Sequence, residues 1–139
     1  MQKVQVIIFR KKDKRPEFLL LRKKGEKVFW QGITGGIEAS DKSIKDAAIR
    51  EVKEELSIEV KTKDLIGPLH QFTFITPRKG YEGQEVREFC FGLEISPDSS
   101  FQLSDEHDAY KWLPFQEALE LIAYDNPKKV VKLIYSMFS

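Results

Sequence analysis

Glu51, Glu54 and Glu55, in the run AAIREVKEELSI, are spaced so that on a helix all three carboxylates project along one strip. Drawn at about 100° per residue, Ile44, Ala48, Ile49, Val52 and Leu56 make the apolar stripe, with Glu51 and Glu55 on its border and Asp46, Arg50 and Lys53 pointing away. The border acids are therefore expected to be half-buried. A carboxylate taken out of water without a counter-charge takes up a proton instead. Oxygen donors of this kind suit Mg²⁺, with Mn²⁺ the alternative. A surface helix whose glutamates pair with Lys45, Arg50 and Lys53 would use the same spacing. Gly35-Gly36, read as a turn ahead of the helix, lets the backbone approach a ligand and leaves the Gly36 carbonyl available as a further metal oxygen.

The run from Gly36 to Ile58 resembles the Nudix box, Gly-x5-Glu-x7-Arg-Glu-U-x-Glu-Glu-x-Gly-U with U aliphatic, and Arg50-Glu51-Val52-Lys53-Glu54-Glu55 matches its core. Lys42 stands where the box has its first glutamate, which removes one acid near the metal site; Glu38 and Asp41 lie close enough in sequence to compensate in part. Ser57 replaces the second glycine, at a helix end where glycine eases a left-handed turn. The flanks, Phe29-Trp30-Gln31, Glu106-His107 and Tyr110-Lys111-Trp112-Leu113, are similar to the bacterial dihydroneopterin triphosphate pyrophosphatases, also described as dATP pyrophosphohydrolases.

The resemblance implies a magnesium-dependent hydrolase that cleaves a pterin or nucleoside triphosphate to the monophosphate and pyrophosphate. It implies metal ligands at Gly36, Glu51, Glu54, Glu55 and, from a distant loop, Glu106; Glu106 as a carboxylate capping its own turn is the other reading. Glu51 and Glu54 are candidates for the catalytic work, with Arg50 orienting a glutamate through a two-toothed salt bridge. Other substrates in the same class are an oxidised nucleotide or a dinucleoside polyphosphate. A silent nucleotide-binding module is the reading from another class, and Lys42 lends it support.

Around this helix, Val4 to Phe9 and Phe18 to Leu21 read as buried strands, with a basic turn from Lys11 to Arg15 between them. Arg22, at the second strand's end, is a candidate for phosphate, whereas Lys23 and Lys24 read as an exposed loop. Trp30 and Gln31 offer a stacking face and a two-way amide for a flat heterocycle, although a core tryptophan fits equally. Leu69 to Thr76 reads as a strand after a break at Gly67-Pro68, with His70 structural. Pro77 to Glu85 is a loop whose Arg78, Lys79 and Tyr81 could close over a substrate. Val86 to Glu94 alternates, setting Glu88, Cys90 and Gly92 on one face, as suits a strand lining a cleft. Two helices, Phe115 to Tyr124 and Lys128 to Phe138, are divided by Asn126-Pro127. Strands and helices interspersed in this way give an α+β chain built as an α/β/α sandwich with a mixed sheet.

The 139 residues fit one domain. With 23 basic and 22 acidic residues the net charge is +1, which gives no field for recruiting nucleic acid. Cys90, the single cysteine, excludes an internal disulfide and a multi-cysteine zinc site. No apolar run approaches a membrane span and no signal peptide is evident, so the expected setting is cytoplasmic, with a small-molecule partner and no membrane.

Overall fold

The computed structural model describes residues 1–25 and 28–138. Strands β1 (Gln2–Lys12) and β2 (Arg15–Lys23) form a hairpin. Asp13 and Lys14 turn it with φ of 52° and 68°, the left-handed pair that matches the twist of the flanking strands. β3 (Phe29–Gln31) and β4 (Ile33–Gly36) follow, then helix α1 (Ile44–Leu56), a 3₁₀ turn at Thr62–Asp64, β5 (Leu65–Ile75), β6 (Glu85–Glu94), β7 (His107–Pro114), α2 (Phe115–Leu121) and α3 (Asp125–Ser136). The strands make one mixed sheet in the order β3-β2-β1-β6-β5, with β4 also on β1 and β7 also on β2. β1 and β6 run parallel; the other pairs are antiparallel.

Both faces of the central strands are covered, so β1 and β2 read as almost continuous apolar runs. Val4, Val6, Ile8, Leu19 and Leu21 face α1 through Ala47, Ala48, Val52 and Leu56. Ile7, Phe9, Phe18 and Leu20 face the other way, onto Ala118, Ile122, Val130, Val131 and Ile134 of the C-terminal helices and the link between them. Helices on both faces of a mixed sheet are the expected sandwich. Val52 and Leu56 are fully buried, each worth about 1.5–3 kcal/mol. α1 starts at Ser43, whose Oγ accepts from the Asp46 N–H at 3.1 Å. It ends at Ser57, which adopts the left-handed conformation the box's glycine would provide.

Several boundaries differ from expectation. Gly35 and Gly36 are not a turn but the end of β4, paired with Val4 and Lys3 of β1. β5 begins at Leu65, and a bulge between Ile66 and His70 carries Gly67-Pro68 within it. α2 stops at Leu121, and α3 starts at Asp125 with Pro127 inside its first turn, where a missing N–H costs no helical bond. Cys90 is buried in the core, the small-hydrophobe role read for it.

Candidate active site

On α1, Glu51 and Glu55 are more deeply placed than half-buried: 7% and 3% of their surfaces remain exposed. Ala47 joins the covered stripe, on which Ile44 and Ile49 pack partly buried, and the fully covered face is drawn toward the border acids. Glu54, the next acid along the edge, keeps 52% of its side chain in solvent.

Arg50 does not point away. Its Nη1 donates to Glu51 Oε1 at 2.9 Å and to both oxygens of Glu54 at 3.3 Å, and its Nη2 donates to the Gly36 carbonyl at 2.8 Å. The two-toothed grip goes elsewhere than a glutamate: Nε and Nη2 donate to Asp41 Oδ1 and Oδ2 at 3.0 and 2.9 Å. This partnership holds the Asp41 carboxyl below its ordinary value and raises Arg50. Lys42, in the box's glutamate position, is exposed.

The loop after β6 closes the acidic edge. Gln102 N and Ser104 N donate to the Leu56 and Glu55 carbonyls at 3.0 and 2.9 Å, satisfying C-terminal carbonyls that the helix leaves open. Ser104 Oγ donates to Glu55 Oε2 at 2.6 Å. Two residues on, Glu106 is near enough that its charge raises both Glu51 and Glu55. Burial is the larger cause in each, and Glu55 is pushed up to about 7. His107, at the start of β7, is buried, and burial lowers it toward the neutral form. Its Nδ1 lies 2.8 Å from Glu55 Oε2 but out of line, so among the described residues it has no hydrogen-bond partner. In the sequence His107 stands out only as the neighbour of Glu106 in one of the flanks that carry the resemblance.

Glu51, Glu54, Glu55 and Glu106 thus converge from helix and loop with Arg50 and its own acid partners between them. Among the described residues no three acidic, histidine or cysteine side chains already stand as a coordination shell, and Arg50 holds Glu51 and Glu54. The donor set nonetheless fits a hard divalent cation. All are carboxylates, two are driven toward protonation by burial and by each other, and a misaligned imidazole nitrogen sits against one of them.

A cavity of about 450 Å³, with none of these acids in its lining, is bounded by Phe29, Gln31, Phe72, Phe74 and Tyr124, with Lys3, Lys23 and Glu88 among its polar groups. Glu88 accepts from Gln5 Nε2 at 2.8 Å, and burial raises its carboxyl. Lys3 is lowered by burial and by the charges of Lys23 and Arg78, while Glu88 and Glu51 draw it the other way. One half-buried amine therefore senses both the cavity and the acidic helix. Lys23, read as a loop residue, is the last residue of β2 and is paired in register with His107.

Three substrate candidates stand elsewhere. Trp30 is absent from the cavity lining because strand alternation gives that side to Phe29 and Gln31; its ring carries Arg22 and Lys111 at 5.9 and 5.3 Å. Arg22 is already paired, its Nε 2.7 Å from Asp108 Oδ1. Tyr81 is exposed on its loop beneath Arg78. His70 bonds Asn126 Oδ1 at 2.8 Å and stacks on Phe72, a structural role.

A sequence model of the NUDIX domain matches residues 1–134, and the chain belongs to that family. It is a Nudix hydrolase, of a class that acts on nucleotide derivatives. Over 127 residues it is 33% identical to a dihydroneopterin triphosphate diphosphatase of Escherichia coli K12, covering 85% of this chain and 81% of that protein. It is 32% identical to an octanoyltransferase of Myxococcus xanthus over 95% of its own length, but spans only 36% of that protein. The solved structure of the Escherichia coli dihydroneopterin triphosphate pyrophosphohydrolase superposes with a TM-score of 0.80 at 26% identity, over 96% of this chain and 94% of that one. No helix among the described residues is long and apolar enough to cross a membrane.

Proposed function

We propose that this chain hydrolyses a triphosphate carrying a flat heterocycle, a pterin or a nucleoside, to the monophosphate and pyrophosphate, with Mg²⁺ as cofactor and Mn²⁺ as a substitute. The observation that carries this reading is the aromatic cavity with Lys3 and Lys23 in its lining, where the Lys3 amine feels the charge of both Glu88 and Glu51 of α1. Phe29, Phe72, Phe74 and Tyr124 give apolar faces for a ring, and Gln31 and Glu88 give polar contacts for its edge. Lys3 and Lys23 offer positive charge for the phosphates.

Glu51, Glu54, Glu55 and Glu106, with the Gly36 carbonyl, would hold the metal. When bound, the ion draws off phosphate charge and helps hold the attacking water in line. Arg50 restrains Glu51 and Glu54, and one of these two carboxylates receives the water's proton. The similarity to dihydroneopterin triphosphate diphosphatases supports the pterin among the possible rings, while the octanoyltransferase match, confined to about a third of that protein, lends no support to acyl transfer.

The test is pyrophosphate release from dihydroneopterin triphosphate, dATP and other nucleoside triphosphates, and release of mononucleotides from a dinucleoside tetraphosphate, with and without Mg²⁺. Magnesium-dependent turnover of a triphosphate is expected, lost by at least about 100-fold in Glu54→Gln, with the fold intact because Glu54 is half exposed. Binding of a triphosphate without turnover of any compound would turn the reading into a silent nucleotide module.

A further inference from the structure

The Nudix box of this chain is broken at its first acid, where Lys42 stands. We infer that Asp41, one residue earlier, is the positioning residue that keeps the site competent, by anchoring Arg50 rather than by touching the ion. This assignment rests on the metal-dependent reading above.

Asp41 has 6% of its side chain exposed, and both its oxygens are engaged by Arg50 in the parallel two-bond geometry that fixes a guanidinium's plane as well as its place. Asp41 Oδ2 also accepts from the Glu38 N–H at 2.8 Å, and the Asp41 N–H donates to the Glu38 carbonyl at 3.0 Å. These two bonds close the loop between β4 and α1 and fix the carboxylate in turn. With Nε and one edge of Nη2 committed to Asp41, Arg50 has Nη1 left for Glu51 and Glu54 and the rest of Nη2 for the Gly36 carbonyl. On its far side Arg50 touches Glu51, Glu54 and Gly36, all proposed to hold the metal, and Nη1 also lies 3.5 Å from Glu38 Oε1.

Asp41 thus sets two things: where Arg50 holds Glu51, Glu54 and Gly36, and how much of its charge falls on them. Without Asp41 more of the guanidinium's charge falls on Glu51 and Glu54, with Glu38 as its other acid partner, and it competes with a divalent cation for the same oxygens. Lys42, exposed and outside the hydrogen-bonding of Arg50, has no part in this. A sequence scan that scores position 42 alone counts the site as defective, yet the compensating acid is displaced by one residue.

The experiment compares the parent chain with Asp41→Ala, Asp41→Asn, Asp41→Glu and Lys42→Ala. It reads Mn²⁺ binding by electron paramagnetic resonance, kcat and KM on the best triphosphate, and the melting curve. Asp41→Ala and Asp41→Asn should weaken Mn²⁺ binding and lower kcat by about 10- to 100-fold, as loss of a partner that orients metal ligands does, with KM little changed. Asp41→Glu should recover part of both, and Lys42→Ala should match the parent. If Asp41→Ala and Asp41→Asn bind Mn²⁺ and turn over like the parent, or only their melting temperature falls, the assignment is overturned while the proposed function stands. A parent chain that binds no Mn²⁺ overturns both.

Discussion

The carboxylate of Glu51 lies where a side chain on residue 35 would begin: a Cβ built on Gly35 would stand 2.0 Å from Glu51 Cδ and 2.1 and 2.4 Å from its oxygens. The strand before the acidic helix thus leaves room for a buried acid, and the glycine is needed for that rather than for a turn. Nothing lies within 4 Å of a Cβ on Gly36. Gly35→Ala should therefore displace Glu51 and lower kcat by about 100-fold, the cost of misplacing a reacting group by an ångström. Gly36→Ala should change it little. Parallel assays of the two variants check this, and equal activities would exclude the steric role of Gly35.

The metal-free protein should lose stability as pH rises toward neutrality. Glu55 is pushed from 4.5 up to about 7 by burial first, with Glu106 adding to the rise and the Ser104 hydrogen bond opposing it. Between those values the folded chain keeps a proton that the unfolded chain has lost, so the stability of unfolding falls with pH across the window and levels off above it. Glu51 and Glu88, raised chiefly by burial, act in the same direction, whereas His107, lowered by burial, acts in the opposite one up to its ordinary value of 6.5. Melting with a chelator present should be higher at pH 5 than at pH 7.5, with Glu55 contributing about 1–2 kcal/mol once solvent screening is allowed for. Glu55→Gln should shrink the difference, and Mg²⁺ should stabilise the parent more at the higher pH. A pH dependence left unchanged by Glu55→Gln would refute the buried-acid reading.

Ser57 holds φ of 58° at the end of α1, a conformation that penalises any residue with a Cβ. Restoring the box's glycine by Ser57→Gly should stabilise the protein by about 1 kcal/mol, the saving in the left-handed region offset in part by a freer unfolded chain. Differential scanning calorimetry should show a rise of about 3 °C with kcat unchanged. A fall in melting temperature would mean that the serine side chain contributes something beyond its backbone shape.

Neighbouring cations should separate cleanly in kinetics. Lys23→Ala removes a charge that lines the cavity and should raise KM for a triphosphate by about tenfold, with kcat nearly intact. Arg22→Ala, one position earlier, removes an exposed partner of Asp108 and should move KM by less than about twofold. The reverse order would relocate the phosphates to the strand's other face.

Much of this architecture is legible along the chain because period and composition are local properties. The 3.6-residue pattern of α1 and the apolar runs of β1 and β2 report which faces are covered, and a helix edge bearing three acids follows from spacing alone. Boundaries were less legible where one signal has two uses. Glycine serves equally in a turn and beneath a packed carboxylate, so Gly35 read as the first and proved to be the second. Proline breaks a helix interior but fits a first turn, so Pro127 read as a divider and lies inside α3.

What sequence by itself determined here is the sandwich of helices on a mixed sheet, the acidic strip of α1 and the box that marks its family. Tertiary structure alone decided that Arg50 turns inward to Asp41, that Ser104 and His107 close over Glu55, and that Lys3, Lys23, Phe29 and Glu88 share a cavity. Those contacts join residues 49 positions apart in the case of Ser104 and Glu55, and 83 in the case of Gln5 and Glu88. Their partners are chosen by strand register and the path of a loop, and neither leaves a periodic trace in the residues between.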